Sequence, residues 1–125
     1  MKKCWTIRLS AAAERDYREI LHWTVENFGR RQAQTYSKTL SNALRDLTFG
    51  PSITGSRQRE EIGPGIHTLH VARNRRKGRH FVVFRVIPTS SDRIIDVLRL
   101  LHDSMDLPRH LPAATGTEAT DDPQH

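Results

Sequence analysis

The side chains best suited to chemistry in this chain of 125 residues are cationic. The densest group is RNRRKGR at 73–79, which carries five positive charges in seven residues around a Lys77-Gly78 turn. Guanidinium groups contact carboxylates and phosphates in bidentate fashion, so this run is typical of a hairpin tip that binds an anionic partner. A turn kept soluble by its charge has the same pattern. Both interpretations stay open.

Seven histidines raise the possibility of a metal site. His67 and His70 are three residues apart on a predicted strand, so they point to opposite faces and cannot bind one ion together. His102, Asp106 and His110 follow a four-residue spacing that suits one helical face, but a proline interrupts that segment. We therefore expect no metal site.

Cys4 is the only cysteine, which excludes a disulfide framework, a CxxC redox pair and a cysteine-rich zinc site. Gly63-Pro64-Gly65 is a turn and lacks the spacing of a phosphate-binding loop. The sequence thus predicts no cofactor.

Charge is distributed unevenly along the chain. The net charge is +6, yet the last thirteen residues hold Glu118, Asp121 and Asp122 and no Lys or Arg, so residues 1–112 have 20 basic against 11 acidic side chains, or +9. So basic a body should attract nucleic acid, an acidic protein segment or an anionic surface. We expect residues 1–112 to form one domain and residues 113–125 a disordered acidic tail, since the tail has no large apolar groups.

The longest uninterrupted aliphatic or aromatic run is Phe81 to Phe84, far shorter than a membrane span. Lys2 and Lys3 are not followed by the continuous apolar stretch of a signal peptide. These features predict a cytoplasmic protein with no membrane contact.

The first half of the chain predicts a strand followed by two helices. Residues 4–9 alternate apolar and polar side chains, after which Ser10 is a good helix N-cap. The next apolar stripe recurs every three or four residues up to Phe28, and Gly29 is the expected stop. A second stripe from Ala33 to Leu47 ends at Gly50-Pro51; two such helices should pack as an antiparallel hairpin.

The second half predicts a sheet. Residues 59–62 precede a turn, and strands follow at 66–73, 79–87 and 93–101. The last two have apolar side chains on both faces, so one face should contact the helices while the other is apolar enough to bind a partner. The fold class is α+β, in the order β-α-α-β-β-β, with an antiparallel sheet packed against an N-terminal helical hairpin. Trp5 and Trp23 are expected to be core or helix-packing residues rather than recognition aromatics.

Four segments together point to a family. In order along the chain they are ENFGRRQAQTY (26–36), GSRQREE (55–61), RHFVVFRV (79–86) and VLRLLHDSMDLPRHL (97–111). Their order and spacing resemble the ParE branch of the RelE/ParE toxin superfamily, over about residues 4–112. The opening WTIRLS and the Trp-bearing first helix agree with this resemblance.

The resemblance implies a toxin of a type II toxin–antitoxin pair, neutralised by a ParD-like antitoxin, which poisons DNA gyrase by binding rather than by catalysis. Direct nucleic-acid contact is expected only through the complex with the antitoxin. A groove formed by the helical hairpin and the strand at 93–101 is the expected antitoxin site. The candidate antitoxin- or target-binding residues are Arg57, Arg73, Arg75, Arg76, Arg79, Arg85, Arg99 and His102.

Two alternatives remain. RelE-like members of the superfamily cleave mRNA on the ribosome, and His102 falls about where that branch often has a catalytic residue. The aromatic partner is missing from the sequence near that position, because Tyr17 and Tyr36 both lie on the apolar faces of the predicted helices. The second alternative is a basic nucleic-acid-binding module without toxicity.

Overall fold

The computed structural model describes residues 4–86, 93–105 and 107. Its α+β class and its N-terminal helical hairpin confirm the prediction. The predicted tail at 113–125, as well as Asp106 and His110, lies outside the described residues. In chain order the elements are β1 (Thr6–Leu9), α1 (Ala11–Phe28), α2 (Arg30–Asp46), a 3-10 turn (Leu47–Phe49), β2 (Ser56–Gln58), β3 (Ile66–His70), β4 (His80–Val86) and β5 (Ile94–His102).

The helical hairpin begins and turns at the residues that the sequence indicated. The Ser10 hydroxyl accepts a hydrogen bond from the Ala13 N–H at 2.9 Å, which satisfies one of the unpaired donors at the start of α1. Gly29 has a φ of 93°, a conformation that side chains disfavour, and separates α1 from α2. The two helices then pack against each other and cover one face of the sheet.

The five strands form one sheet in the order β1-β5-β4-β3-β2. Strands β2 to β5 pair antiparallel as predicted, whereas β1 pairs parallel with β5, from Thr6 opposite Ile94 to Leu9 opposite Val97. The sheet is therefore mixed rather than wholly antiparallel. A parallel neighbour requires a crossover, and here the hairpin and the next three strands lie between the two partners in sequence.

The edge strand β2 lies slightly before the predicted segment 59–62. Ser56–Gln58 pairs with β3, whereas residues 60–62 turn back toward it. The Arg59 N–H donates to the Ile66 carbonyl at 2.8 Å, and Ile62 N–H donates back to the Arg59 carbonyl at 3.0 Å. Local turn bonds thus replace the ladder over this stretch.

Apolar side chains fill both sides of the sheet. On the helix side, Leu40, Val82, Phe84, Ile95 and other residues form the main core. On the other side, the fully buried Val83 lies in a smaller cluster that includes Ile66, Leu101 and Leu107, with Ile62 packed against it. The second face, which the sequence indicated as needing a partner, is therefore partly covered by the chain itself.

Two aromatic side chains of α1 are mostly exposed. Phe28 was expected on the buried face of the helix and Trp23 in the core or packed on a helix, but 56% of Trp23 and 64% of Phe28 are exposed, so neither lies in the core. The tip of the hairpin, residues 25–32, is exposed throughout, so nothing in the described chain covers them; they contact each other edge to face at 5.7 Å. Trp5, in contrast, packs against the main core as predicted. Neither described helix has the length and apolar character needed to cross a bilayer.

Candidate interaction surface at one end of the sheet

Three histidines that are distant in sequence meet at one end of the sheet. His70 is the last residue of β3, His80 the first of β4 and His102 the last of β5. His80 lies directly opposite His102 in the ladder, and their rings meet edge to face with centroids 5.2 Å apart. The antiparallel register is what brings them together, because a strand start adjoins the ends of its two neighbours.

The hydrogen bonds of these rings fix where their protons lie. The backbone N–H groups of Ala72 and Ser104 donate to Nδ1 of His70 and His102, at 3.0 and 3.1 Å. A ring nitrogen that accepts carries no proton, so each neutral imidazole holds its proton on Nε2. The Nε2–H of His70 donates to Asp103 at 2.9 Å. The accessible nitrogen of His102 is therefore a donor.

Tyr36 connects this end of the sheet to α2. Its hydroxyl accepts from the Arg79 N–H at 3.0 Å and lies 2.7 Å from Nδ1 of His80. Because the oxygen already accepts from Arg79, its own proton is directed to His80. The aromatic hydroxyl that seemed to be missing near the last strand is thus present, supplied by a helix rather than by the strand itself. The expectation that no aromatic partner lies near that position was wrong.

Burial sets the ionisation of this pair. Burial, as the largest cause, and the neighbouring His102 imidazole together lower the pKa of His80 from an ordinary 6.5 to about 4. Burial also raises the pKa of the Tyr36 hydroxyl. Both groups are consequently neutral near pH 7, which matches a hydrogen bond from a phenol to an unprotonated imidazole.

Asp103 is the carboxylate of this end and is fully engaged. It accepts from His70 and from Arg79 Nε, the latter at 3.2 Å to both oxygens. These hydrogen bonds lower its pKa to about 2. The Asp103 N–H also donates to the Arg79 carbonyl at 2.8 Å, so Asp103 fastens the chain after β5 to the start of β4.

The basic loop 73–79 is anchored to α2 at both ends. At its start, Arg73 Nε donates to Asp46 at 3.0 Å, and the Arg73 guanidinium also bonds the Thr54 carbonyl. At its end, Gly78 lies so close to Tyr36 and Val71 that an added Cβ would be 3.0 Å from the Tyr36 hydroxyl and 2.5 Å from Val71 Cγ2. The loop is therefore held in a fixed position.

Between these anchors the chain makes a tight turn. Asn74 and Arg75 both have positive φ, 54° and 68°, and the Arg76 N–H donates to the Arg73 carbonyl at 2.9 Å. Two positive φ values with that bond define a type I′ turn. The side chains of Arg75, Arg76 and Lys77 are exposed there.

We call the exposed donors of this region the cationic end; its members are Arg75, Arg76, Lys77, Arg79 and His102. Four of the eight predicted binding residues thus lie together. Arg79 is 69% exposed at its side chain even though it contacts Asp103. The arrangement presents guanidinium and imidazole N–H groups to an anion without offering it an acceptor.

The other four predicted residues lie elsewhere. Arg73 is bound to Asp46, and Arg99 donates to both oxygens of Asp16 at 2.7 and 3.0 Å, so these two guanidiniums stabilise the fold. Arg57 is exposed on β2, and Arg85 is half-buried on β4. By their register opposite Thr68 and Ile66, both face the side of the sheet away from the helices.

The expected groove between the hairpin and β5 is filled by the core. Ile95 and Val97 of β5 are fully buried beneath the helices. An antitoxin segment could reach β5 only from the face away from the helices. Among the described residues, no three His, Cys, Asp or Glu side chains are grouped closely enough to hold a metal ion.

Comparison with known proteins identifies the family. The model of the ParE toxin of the type II toxin–antitoxin system parDE matches residues 7–107. The chain belongs to the ParE toxin family. Toxin ParE1 from two strains of Mycobacterium tuberculosis, CDC 1551 / Oshkosh and H37Rv, is 34% identical to it over 103 residues, which is 82% of this chain and 94% of the relative. This ParE family member is accordingly a toxin of a type II toxin–antitoxin system.

Solved structures share the ParE fold at low sequence identity. The chromosomal ParDE toxin–antitoxin system from P. aeruginosa superposes with a TM-score of 0.62 at 20% identity, covering 79% of this chain and 96% of that one. The RelBE2 toxin–antitoxin complex from Mycobacterium tuberculosis gives 0.51 at 19% identity, covering 79% and 98%. The YoeB/ParE toxin from Agrobacterium tumefaciens gives 0.52 at 12% identity, covering 78% and 96%.

Proposed function

We propose that this ParE toxin inhibits DNA gyrase by direct binding and is neutralised in the cytoplasm by a ParD-like antitoxin whose acidic segment binds the cationic end. Membership of the ParE family carries the proposal. Residues 1–112 form the toxin domain in this proposal.

The charge of the cationic end supports an acidic antitoxin. Arg75, Arg76 and Lys77 follow one another on an anchored turn, and Arg79 lies beside them. Opposite charges on a partner would accelerate its encounter with the toxin and fix its register. Related structures come from toxin–antitoxin systems and complexes, which agrees with such a partner. Arg57 and Arg85 are further candidate contacts, on the face away from the helices.

Action without bond chemistry is supported by the state of the groups at the cationic end. ParE toxins are generally non-enzymatic. Here the Asp103 carboxylate is occupied by His70 and Arg79, and Nδ1 of His102 accepts from the Ser104 N–H, which leaves Nε2 as a donor. A general base needs an available acceptor. Within the described chain, neither Asp103 nor His102 offers an available acceptor.

A supercoiling assay tests the target. Purified toxin added to gyrase, relaxed plasmid and ATP should inhibit supercoiling. We expect the antitoxin to be encoded by a short reading frame adjacent to this chain's gene, and its product should reverse the inhibition. Induced cells should become filamentous with a DNA-damage response. Full supercoiling activity at a large excess of toxin would contradict the gyrase target.

An mRNA endonuclease of the RelE type is the second candidate, and one observation favours it. Tyr36, His80 and His102 form a contiguous cluster beside the Arg79 guanidinium. Cations and a proton donor at one place are what cleavage of a phosphodiester requires. Cleavage of mRNA in translating ribosomes that is lost in His102→Ala would establish this function instead, with rapid loss of protein synthesis in induced cells.

A further inference from the structure

We propose that Arg75 is the anchor through which the cationic end binds a carboxylate of the antitoxin, and that its left-handed backbone is retained for this contact at a cost in fold stability. The inference rests on the proposed antitoxin and names the residue that recognises it. It starts from the conformation of one peptide unit rather than from charge alone.

Arg75 is an unusual residue for the second central position of the turn at Asn74-Arg75. A type I′ turn requires positive φ at both central positions, and Asn followed by Gly is the strongly preferred pair. Asn74 fits because its short polar side chain tolerates this region. Arg75, at a φ of 68°, stands where glycine would relieve the strain. A strained conformation kept at one residue points to a role for its side chain outside the fold.

No contact within the described chain accounts for an arginine at position 75. Its neighbour Arg73 bonds Asp46 and Thr54, and Arg79 bonds Asp103, whereas the exposed Arg75 side chain has no hydrogen bond or ion pair among residues 4–86, 93–105 and 107. The turn holds it at the outermost point of a loop anchored at both ends. The anchored turn fixes the backbone from which the Arg75 side chain projects, so binding a carboxylate there requires no ordering of the loop.

The observations favour an acidic peptide over nucleic acid. Proteins that bind single strands combine cations with aromatic rings on which bases stack. The loop 73–79 contains no aromatic residue, and the adjoining Tyr36 ring is half-buried with its hydroxyl engaged. Arg75, followed directly by Arg76 and Lys77 on an anchored turn, suits a short run of carboxylates.

The proposal predicts opposite effects on two properties of the full-length protein. Arg75→Gly should raise the melting temperature by about 3 °C, since strain is relieved. The same variant should weaken binding to the adjacent-frame antitoxin by about tenfold, as expected for the loss of a charge-assisted bidentate contact. Arg75→Ala should lose the same affinity without gaining stability, which separates binding from folding.

Arg93 is a matched control. It is also an exposed arginine with positive φ, 56°, but it precedes the start of β5, at the opposite end of that strand from His102. Arg93→Gly removes the same charge and the same kind of strain. Because Arg93 lies at the opposite end of β5 from His102, this variant should keep wild-type affinity for the antitoxin. Calorimetric melting and titration of the four proteins with the antitoxin measure both properties.

Three results would overturn the proposal. Wild-type affinity in Arg75→Gly would refute the anchor while leaving the antitoxin pairing intact. Loss of binding to a 20-base-pair DNA duplex with unchanged antitoxin binding would assign the turn to nucleic acid instead. No binding of wild-type toxin to the adjacent-frame product would remove the proposed partner itself, a failure that differs from the other two.

Discussion

Arg99 of β5 and Asp16 of α1 are joined by two hydrogen bonds, at 2.7 and 3.0 Å, although 83 residues separate them in the chain. The same carboxylate accepts from the Leu100 N–H at 3.0 Å. The pair lies next to Leu98, which has no partner in the β4 ladder because the register shifts between Val83 and Phe84. Asp16 thus fixes α1 against an irregular point of β5.

The first prediction concerns this carboxylate. Asp16→Ala should lower the free energy of unfolding by about 3 kcal/mol, because it removes the carboxylate to which the half-buried Arg99 guanidinium and the buried Leu100 N–H donate. Asp96→Ala is the comparison: Asp96 bonds Arg8, whose side chain is 57% exposed, so its loss should cost less than about 1 kcal/mol. Urea denaturation measures both; equal losses would refute the special role of Asp16.

A second prediction concerns Gly78. Its substitution by Ala should destabilise the protein by about 1–3 kcal/mol, because the new methyl group would overlap with the fully buried Val71. The shortest of the new contacts, 2.5 Å, is with Val71 Cγ2, so the loss should shrink when Gly78→Ala is combined with Val71→Ala. A double-mutant cycle on unfolding free energies measures this coupling. Strict additivity would show that the overlap is absent.

The third prediction is a pH dependence. His80 has a pKa lowered to about 4, against 6.5 for the free side chain, so the unfolded imidazole takes up a proton while the folded one stays neutral. Its contribution to stability is complete above pH 6.5 and is lost as the pH falls toward 4. Between these values, unfolding should take up as much as about one proton at His80.

Asn at position 80 provides the control, since its amide oxygen can accept from Tyr36 without titrating. The slope of the unfolding free energy against pH should be smaller in His80→Asn, by the amount that corresponds to the uptake of about one proton on unfolding. Asp103 has a pKa lowered to about 2 from 3.8, so its contribution to stability is complete above pH 3.8 and is lost as the pH falls through 2. Its titration therefore does not contribute to the slope measured between pH 4 and 6.5. Identical slopes would mean that His80 titrates normally in the folded state.

The fourth prediction concerns rates. Reversing the charges of Arg76 and Lys77 to Glu should slow association with the antitoxin by about tenfold or more at low salt, since electrostatic steering is lost. The difference should narrow as salt is added. Arg30→Glu combined with Arg31→Glu, at the exposed tip of the hairpin, changes the net charge by the same amount and serves as the control. Stopped-flow traces that are equally slow for the control would refute steering by the cationic end.

Local patterns were sufficient to predict the helices, because capping and periodicity are written within a few residues of each other. The Ser10 cap and the stop at Gly29 are examples. They could not show that Phe28 is exposed, since an apolar stripe shows which residues share a face but not where the covering sheet ends. Nor could they place β1, whose partner begins 88 residues later.

At the functional site, too, contacts between residues distant in sequence could not be predicted. Arg73 and Arg99 looked like interface residues because their acidic partners, Asp46 and Asp16, are 27 and 83 residues away. The hydroxyl of Tyr36 reaches a histidine 44 residues further on, which no helical periodicity could show. The seven-residue run 73–79, by contrast, was visible at once since its charges are contiguous.

The parallel pairing of β1 with β5 has a consequence for synthesis. Thr6–Leu9 leaves the ribosome well before its neighbours in the sheet, residues 94–97, which belong to the last described strand. The sheet cannot be completed until nearly all of the described chain has been made, because long-range pairings form only after their loops can close. Each newly synthesised molecule therefore passes through an interval in which it is not yet a toxin, and a waiting antitoxin can meet it as it folds.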